Sequence, residues 1–353
     1  MTAPASMAPF TFINDAEPGA LPLRAAVANA AAELHWLGGV PLSRALRGGD
    51  AACYLTAPLS AFLRYPAAEI APERPRLAKA MQRLAGLAEM SGLARCVLLG
   101  NLPLSTNLAA EHGDALLHAA EAAINKYGNG WIGLRNLRPD RHAPLIAELE
   151  RQDFFLLPAR VIYEFPQGEA RASHYKRDRA LLRKLYTPLP HAAFDAALLE
   201  QARAMYAAVY LERHSRLNPD YTAAFFARAW ETGALEFTGL VGNGGELAAF
   251  AAIHRQQDIM TVPLLGHDVA LPREAGAYRA LVAHLISLSA QRGLLFNFSS
   301  GAGDAKRKRG AEPKLEYTAF RPPGGAWRTR LLQPLAGFIR QRLPLEAFIA
   351  QGA

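Results

Sequence analysis

Apolar residues along this chain fall into two alternating patterns: short runs that suit strands, and longer stretches with helical recurrence every three or four positions. "LLG" at Leu98 to Gly100 closes one strand-like run, and "PARVIYEF", Pro158 to Phe165, forms another. "LEFTGLVGNGGELAAFAAIH", Leu235 to His254, reads as a hairpin turning at Gly242 to Gly245, and "DIMTVPLLGHD" as the strand after it. Residues 112–127, 195–212, 220–231 and 273–292 carry the helical period, and Pro272 suits the first turn of the last of these.

The pattern repeats. "LLG" recurs at Leu264 to Gly266; Gly128 comes 28 residues after Gly100, and Gly293 comes 27 residues after Gly266, each introducing the next strand. Each copy then reaches an eight-residue run bounded by Pro and Phe, "PARVIYEF" or "PKLEYTAF" (Pro313 to Phe320). The order strand, helix, strand, short segment, strand therefore occurs twice, which predicts two copies of one α/β unit with a cleft between or within them. Chance recurrence of a common α/β order is the alternative.

Composition narrows the class. With 353 residues, 51% of them hydrophobic, the chain can bury one large core or two ordinary ones. The first twenty residues hold no Lys or Arg and no apolar run long enough for a signal peptide. No later segment reaches the ~18 apolar residues of a membrane span, so a soluble cytoplasmic protein is expected. Cys53 and Cys96 are far apart and flanked by apolar residues, as reduced core thiols are. No CxxC, HExxH, Walker loop or GxSxG elbow occurs, and no metal site is expected.

Charge adds more. The net charge is +8, and two segments account for all of it: "RASHYKRDRALLRK", residues 171–184, and "DAKRKR", residues 304–309. In the first, read as a helix, Lys176, Arg179 and Arg183 share one face, flanked by Arg177 and Lys184, while Leu181, Leu182 and Leu185 point the other way. Such a stripe is either a solvated outer face or part of an anion site, and the second reading requires the two segments to meet in space.

From residue 166 onward the order is helix, helices, hairpin, strand, long helix, strand, short segment, strand. This order resembles the acyltransferase fold of the GNAT superfamily, and the duplicated form resembles the Fem family of aminoacyl-tRNA-dependent peptidyltransferases. "SHYKRDRALLRKL" is similar to that family's basic helix, "YLERHSRLNPDYTAAFF" to its inter-helical loop, and "QRGLLFNFSSGAGDAKRKRGAEP" to its Gly, strand and Phe-Lys-x-x-x-Gly segment, with Lys306 and Gly310 at the Lys and Gly. Ala305 and Arg309 depart from the pattern, and residues 1–90 match it poorly. The resemblance implies an α/β (α+β) fold of two tandem GNAT-like domains with mixed sheets flanked by helices. They would be an N-terminal domain at 1–165 and an acyltransferase domain at 166–325, followed by a C-terminal helical segment at 326–353.

Acyl transfer to an amine needs a placed carbonyl, donors for its developing oxyanion and an acceptor for one proton. The resemblance puts the carbonyl against the strand before the long helix, which makes the backbone N–H groups of Leu265 and Gly266 oxyanion candidates. His267 would relay the proton and Asp268 would hold an ammonium; an ordinary strand end is the alternative. For the donor, "REAGAY" supplies Arg273 and Gly276 of the [RQ]xxGx[GA] loop with which acyl-coenzyme A enzymes cradle pyrophosphate, but Tyr278 stands where a small residue is expected. An aminoacyl-tRNA would instead use the cations Lys176, Arg179, Arg183 and Lys306, with Tyr175 and Tyr186 for stacking.

The expected activity is transfer of an aminoacyl or acyl group from a polyanionic cosubstrate to a small-molecule or peptide amine. Aminoacyl-tRNA is favoured over acyl-coenzyme A as that cosubstrate, and no bound cofactor is expected. A non-catalytic RNA-binding module is the reading from another class. In the C-terminal "AWRTRLLQPLAGFIRQRLPLEAFIA", Pro334 and Pro344 predict a docked helix with a broken end rather than a membrane-surface helix.

Overall fold

The computed structural model describes residues 8–46, 52–107, 113–168, 170 and 172–342; Arg171 and the tail with Pro344 lie outside the described residues. The first α-helix among the described residues is α1 (Leu23–Ala26), followed by the hairpin β1 (Ala32–Leu37) and β2 (Val40–Ala45). Gly38 and Gly39 make the two-residue turn with φ of 57° and 80°, a conformation in which other residues are strained. After α2 (Tyr65–Ile70) and α3 (Pro75–Met90) comes the first repeat: β3 (Val97–Leu99), α4 (Asp114–Tyr127), β4 (Ile132–Leu137), α5 (Pro139–Arg151) and β5 (Phe155–Phe165).

The basic segment forms α6 (Ser173–Leu185), followed by the short strand β6 (Thr187–Leu189). Next come α7 (Ala196–Ala207) and α8 (Ala223–Glu231). Asp195 caps α7, its carboxylate accepting from Leu198 N–H at 2.9 Å, and Thr222 caps α8 through Phe225 N–H at 3.3 Å. The helix expected to run to 212 leaves α-helical geometry at Ala207, and residues 208–214 form a wider turn. The hairpin is β7 (Glu236–Val241) and β8 (Leu247–Gln256), turning where Gly242 to Gly245 predict. The second repeat follows as β9 (Ile259–His267), α9 (Ala277–Gln291), β10 (Leu295–Asn297), α10 (Gly303–Arg307) and β11 (Glu312–Arg321), with α11 (Ala326–Arg342) after it.

Two expectations are corrected here. α9 starts at Ala277, not 273, because Gly276 takes a left-handed φ of 62° and ends the helix there; Pro272 lies in the preceding turn. α11 runs through Pro334 without ending, and its inner side docks by Ala336, by Leu332 and by a 2.7 Å bond from Thr329 Oγ1 to Asp153 O, while Trp327 and Leu331 are exposed.

The chain forms two compact units. Of the described residues, one contains those up to Arg160, His214–Tyr221 and those from Leu315 onward; the other contains Val161–Arg213 and Thr222–Lys314. Strand order in the first is β1-β2-β3-β4-β11, with the start of β5 up to Arg160 also in that unit, and in the second β5 from Val161, then β10-β9-β8-β7-β6. In each repeat the first two strands pair in parallel, β3 with β4 and β9 with β10. The third strands are exchanged: β11 lies antiparallel on β4, and β5 lies antiparallel on β10.

The first unit packs α4 and α5 over one face of its strands through Leu116, Ala120, Leu145 and Leu149, and a second cluster holds Cys96, Leu98, Phe155 and Phe320. In the second unit α9 is buried on most sides, which explains a helix apolar nearly all round. Both cysteines are buried and unpaired. Among the described residues no helix is long and apolar enough to cross a membrane, and no group of His, Cys, Asp or Glu is placed to hold a metal ion.

Candidate functional site

β9 and β10 stay paired only as far as Thr261 and Asn297. Beyond them the chain after β10 follows β5, with Phe298 N–H donating to Tyr163 O at 2.9 Å and Tyr163 N–H to Ser299 O at 3.0 Å. The edge of β9 from Val262 to His267 therefore has no strand partner on that side among the described residues. On the other edge β9 pairs with β8, and Asp268 N–H donates to Ala248 O at 2.9 Å. Bonded residues alternate along an antiparallel ladder, so Leu264, Gly266 and Asp268 turn their N–H groups to β8, and Leu265 and His267 turn theirs to the open edge.

This alternation divides the expected oxyanion pair. Leu265 presents its N–H at the opening, whereas that of Gly266 belongs to the sheet. Gly266 serves packing: a Cβ there would lie 2.8 Å from the Phe250 ring and 2.9 Å from the backbone carbon of Met205, so only glycine lets α7 lie this close to β9.

At the end of β9 a cavity of about 750 Å³ opens along the entry to α9. Arg213, His267, Asp268, Arg273, Gly276, Tyr278 and Arg279 all line it. No side chain caps α9, and its first internal bond runs from Ala280 N–H to Gly276 O at 3.0 Å, so the N–H groups of Ala277, Tyr278 and Arg279 precede the helical ladder. Uncapped N–H groups, the positive end of the helix dipole and three arginines favour an anion. His267 is half-buried beside Tyr278, ring centroids 5.7 Å apart, and its Nδ1 is buried with no hydrogen-bond partner. Burial first and Arg213 second hold its pKa below the usual histidine value, against the pull of Asp268, so the ring is neutral at pH 7 and able to take a proton. The Asp268 carboxylate accepts from Ala270 N–H at 2.8 Å, which fixes the start of the loop. Burial pushes the Tyr278 hydroxyl up to about 12.

Lys306 was expected in the same cleft, and the structure places it elsewhere. Its ammonium is buried and donates to Phe298 O at 2.6 Å, Ser300 O at 2.8 Å and Ser299 O at 3.3 Å, with the Phe298 ring centroid 4.4 Å away. Positive φ at Ser299, Gly301 and Ala302 shapes this loop. The lysine fastens the loop after β10, and three carbonyls occupy the charge meant for phosphate. Arg309 is also interior: Nε donates to Asp178 Oδ2 at 2.7 Å and Nη1 to Ala305 O at 2.6 Å, tying α10 to α6. Gly310, with φ of 101°, supplies the turn after it. Lys308 is exposed, and Arg307 pairs with Asp304.

Residues 169–309 match the family model described as the acetyltransferase (GNAT) domain. They form a GNAT-type domain. Among solved structures, the chain is similar to L-PGS from Bacillus licheniformis, with 12% identity and a TM-score of 0.50 over 95% of this chain and 98% of that one. That likeness shows the fold. Further similarities are to the C-terminal domain of a candidate lysylphosphatidylglycerol synthetase from Agrobacterium fabrum (11% identity, TM-score 0.49, 90% of each chain). FemX also appears, with 9% identity and a TM-score of 0.47 over 65% of this chain and 81% of that one. The chain matches no curated protein.

Within the GNAT-type domain, α6 runs antiparallel to α9. Tyr175 Oη lies 2.9 Å from Ser287 Oγ near one end, and Tyr186 donates to Ala275 O at 2.9 Å near the other. Both tyrosines are thereby committed to packing, and Tyr175 is 2% exposed, which removes them as stacking platforms. Lys176, Arg179 and Arg183 do not line the cavity; the two basic segments meet through Arg309 and Asp178, while the Lys306 ammonium is turned to the carbonyls after β10. Lys176, Arg177, Arg183 and Lys184 are exposed and make no ion pair among the described residues. Arg183 and Lys184 fall between Leu181 and Tyr186, which touch the α9 entry: a Cβ on Gly276 would lie 2.7 Å from Leu181 Cδ2. The cations that do meet at the cavity, Arg213 and Arg279, were missed. Arg279 follows Gly276 by three residues, a spacing that would have placed it in the first turn of α9. Arg213 had no local signal, because the wide turn at 208–214 positions it.

Proposed function

We propose that the chain transfers an acyl or aminoacyl group from a phosphate-bearing donor to an amine by direct attack, with the charged end of a tRNA as the favoured donor. The observation that carries this reading is the cavity at the α9 entry, where Arg213, Arg273 and Arg279 and the uncapped helix start adjoin neutral His267. In this reading the donor's phosphate sits at the helix N-terminus. The carbonyl lies along the open edge of β9, and Leu265 N–H donates to its oxygen as the tetrahedral centre forms. Asp268 holds the ammonium, His267 takes one proton from it, and the free amine attacks; as the tetrahedral centre collapses the C–O bond to the tRNA ribose breaks, the leaving oxygen takes the proton from His267, and the nitrogen gives up its second proton to solvent. No covalent enzyme intermediate is needed.

Two features favour tRNA over acyl-coenzyme A. Tyr278 fills the position where a small residue would let the backbone approach a pyrophosphate. Arg183 and Lys184 are exposed between Leu181 and Tyr186, which touch the α9 entry, and such cations suit a donor longer than the cavity.

The test supplies the purified protein with tRNAs charged with labelled amino acids, or with labelled acyl-coenzyme A, and a cell extract as acceptor source. Label should leave tRNA in a protein-dependent way, and Lys176→Glu with Arg183→Glu should slow it about tenfold or more at low salt. Transfer from acyl-coenzyme A alone, unchanged in that double variant, would overturn the tRNA assignment and retain the acyltransferase.

A further inference from the structure

The end of β3 is the first-repeat counterpart of the β9 end, and it too is surrounded by polar groups. Asn101, next after Gly100, is buried; its Nδ2 donates to Ser43 Oγ at 2.7 Å and Leu55 O at 3.0 Å, and its Oδ1 accepts from Asn107 Nδ2 at 3.1 Å. Arg135 on β4 adds Nη1 bonds to Leu55 O at 2.9 Å and to Asn101 Oδ1 at 2.8 Å. Arg160 on β5 donates through Nε to Glu316 Oε2 at 2.7 Å and through Nη2 to Thr106 Oγ1 at 2.9 Å. Glu316 is 2% exposed and also accepts from Asn136 Nδ2 at 2.9 Å.

Arg135 is the cation of this network whose charge is not met among the described residues; the Glu316 carboxylate is held by Arg160. Arg135 bonds only to neutral acceptors and makes no ion pair among the described residues. Burial first, and repulsion from Arg160 second, pull its pKa down to about 10. Nor do its hydrogen bonds require an arginine, since Leu55 O and Asn101 Oδ1 each already accept from another side chain. A charge kept in such surroundings without a counterion is costly, and sites that keep one are candidates for ligand binding. The place is also reachable: Arg135, Arg160 and Tyr54 are half-buried rather than sealed, and Tyr54 and Tyr65, ring centroids 5.3 Å apart, supply an aromatic wall.

We propose that Arg135, with Arg160 and Tyr54 beside it, binds the anionic group of a small ligand, a carboxylate or a phosphate, in the first unit. The fork of the guanidinium suits either oxyanion, held through the N–H groups not turned to Leu55 and Asn101. This site is additional to the α9 cavity and does not depend on the donor assigned to it.

The test uses the full chain carrying Arg213→Ala and Arg273→Ala, so that anions bound at α9 do not contribute. Phenylglyoxal modification of Arg135 is followed by peptide mass, at constant ionic strength, with inorganic phosphate in one arm and acetate in the other. Arg135 is expected to react, and one arm to protect it at least threefold; the protecting arm names the oxyanion. Melting in that arm should rise by about 3–6 °C at tenfold excess over Kd, and Arg135→Met should remove the rise while its own Tm stays within about 2 °C of the parent. An unreactive Arg135, a reactive one protected in neither arm, or a large Tm loss in Arg135→Met would each overturn the site. The last result would make Arg135 a structural cation.

Discussion

Replacing Lys306 separates a loop-fastening lysine from a phosphate-binding one. In Lys306→Ala, Phe298 O loses its donor in a buried position, Ser300 O loses its donor at an exposed one, and Ser299 O keeps the 3.0 Å bond from Tyr163 N–H. One buried unsatisfied carbonyl costs about 1–3 kcal/mol. The ammonium over the Phe298 ring contributes about 0.5–2 kcal/mol more. A net loss near 3 kcal/mol is expected, seen as a fall in Tm of about 6–12 °C for a unit of this size. Lys306→Met keeps the stem packing and should lose less. Lys308→Ala, on an exposed side chain, should stay within about 0.5 kcal/mol.

The assay is thermal melting of the three variants beside donor binding measured across salt concentration. A fastening lysine lowers Tm and leaves the salt slope of the folded fraction unchanged. If Lys306→Ala melts with the wild type while donor affinity drops and the slope flattens, the ammonium meets phosphate and its place among the carbonyls is not its working one.

Three further outcomes follow from named contacts. Arg309→Met leaves Asp178 buried and unpaired and should cost about 3–5 kcal/mol, whereas Arg309→Met with Asp178→Leu should recover most of the loss in thermal melts; a double variant no better than the single would refute the pair. Gly266→Ala forces a Cβ to within 2.9 Å of Met205 backbone and should cost about 1–3 kcal/mol by the same measurement, so an unchanged Tm would contradict the packing role. Because His267 has a pKa below the free value of 6.5, transfer should hold its rate to lower pH than an ordinary histidine base allows, then fall; His267→Gln should be slow with no such limb. The neutral ring also adds stability present above pH 6.5 and lost as pH falls through the folded value.

Much of the element order is legible in the sequence because local patterns set it. Alternation, apolar runs and glycine punctuation place β3 to β5 and β7 to β11 close to where they form; of the repeat landmarks, Gly100, Gly266 and Phe165 fall at strand ends, whereas Gly128 and Gly293 follow helices. The β1–β2 hairpin was not read from the sequence, although Gly38 and Gly39 mark its turn. The cation cluster was misread for a physical reason. "KRKR" on paper is four equal charges, but a three-residue run of backbone carbonyls and a buried aspartate claim Lys306 and Arg309, and only tertiary structure brings those acceptors there. His267, Asp268, Arg273 and Gly276 do meet at one cavity, because all four lie within one strand-to-helix connection, where sequence proximity guarantees spatial proximity.

The exchange of third strands is the feature least available to a linear reading, and it bears directly on the site. Which strand β5 or β11 joins is not encoded in its own alternation, since either edge would accept an antiparallel partner. Yet the choice decides how the second unit is built: residues 161–165 come from the first repeat and pair with β10, and Tyr163 holds Phe298 and Ser299 through both of its backbone groups. Those bonds draw the chain after β10 away from β9, and Lys306 locks it in that course. The open edge of β9, with Leu265 N–H and the His267 end of the cavity, exists because β10 is committed elsewhere. A domain drawn from residue 169 to 309 thus holds the side chains of the site but omits the strand that parts β9 from β10, so the geometry of transfer depends on a segment contributed by the other repeat.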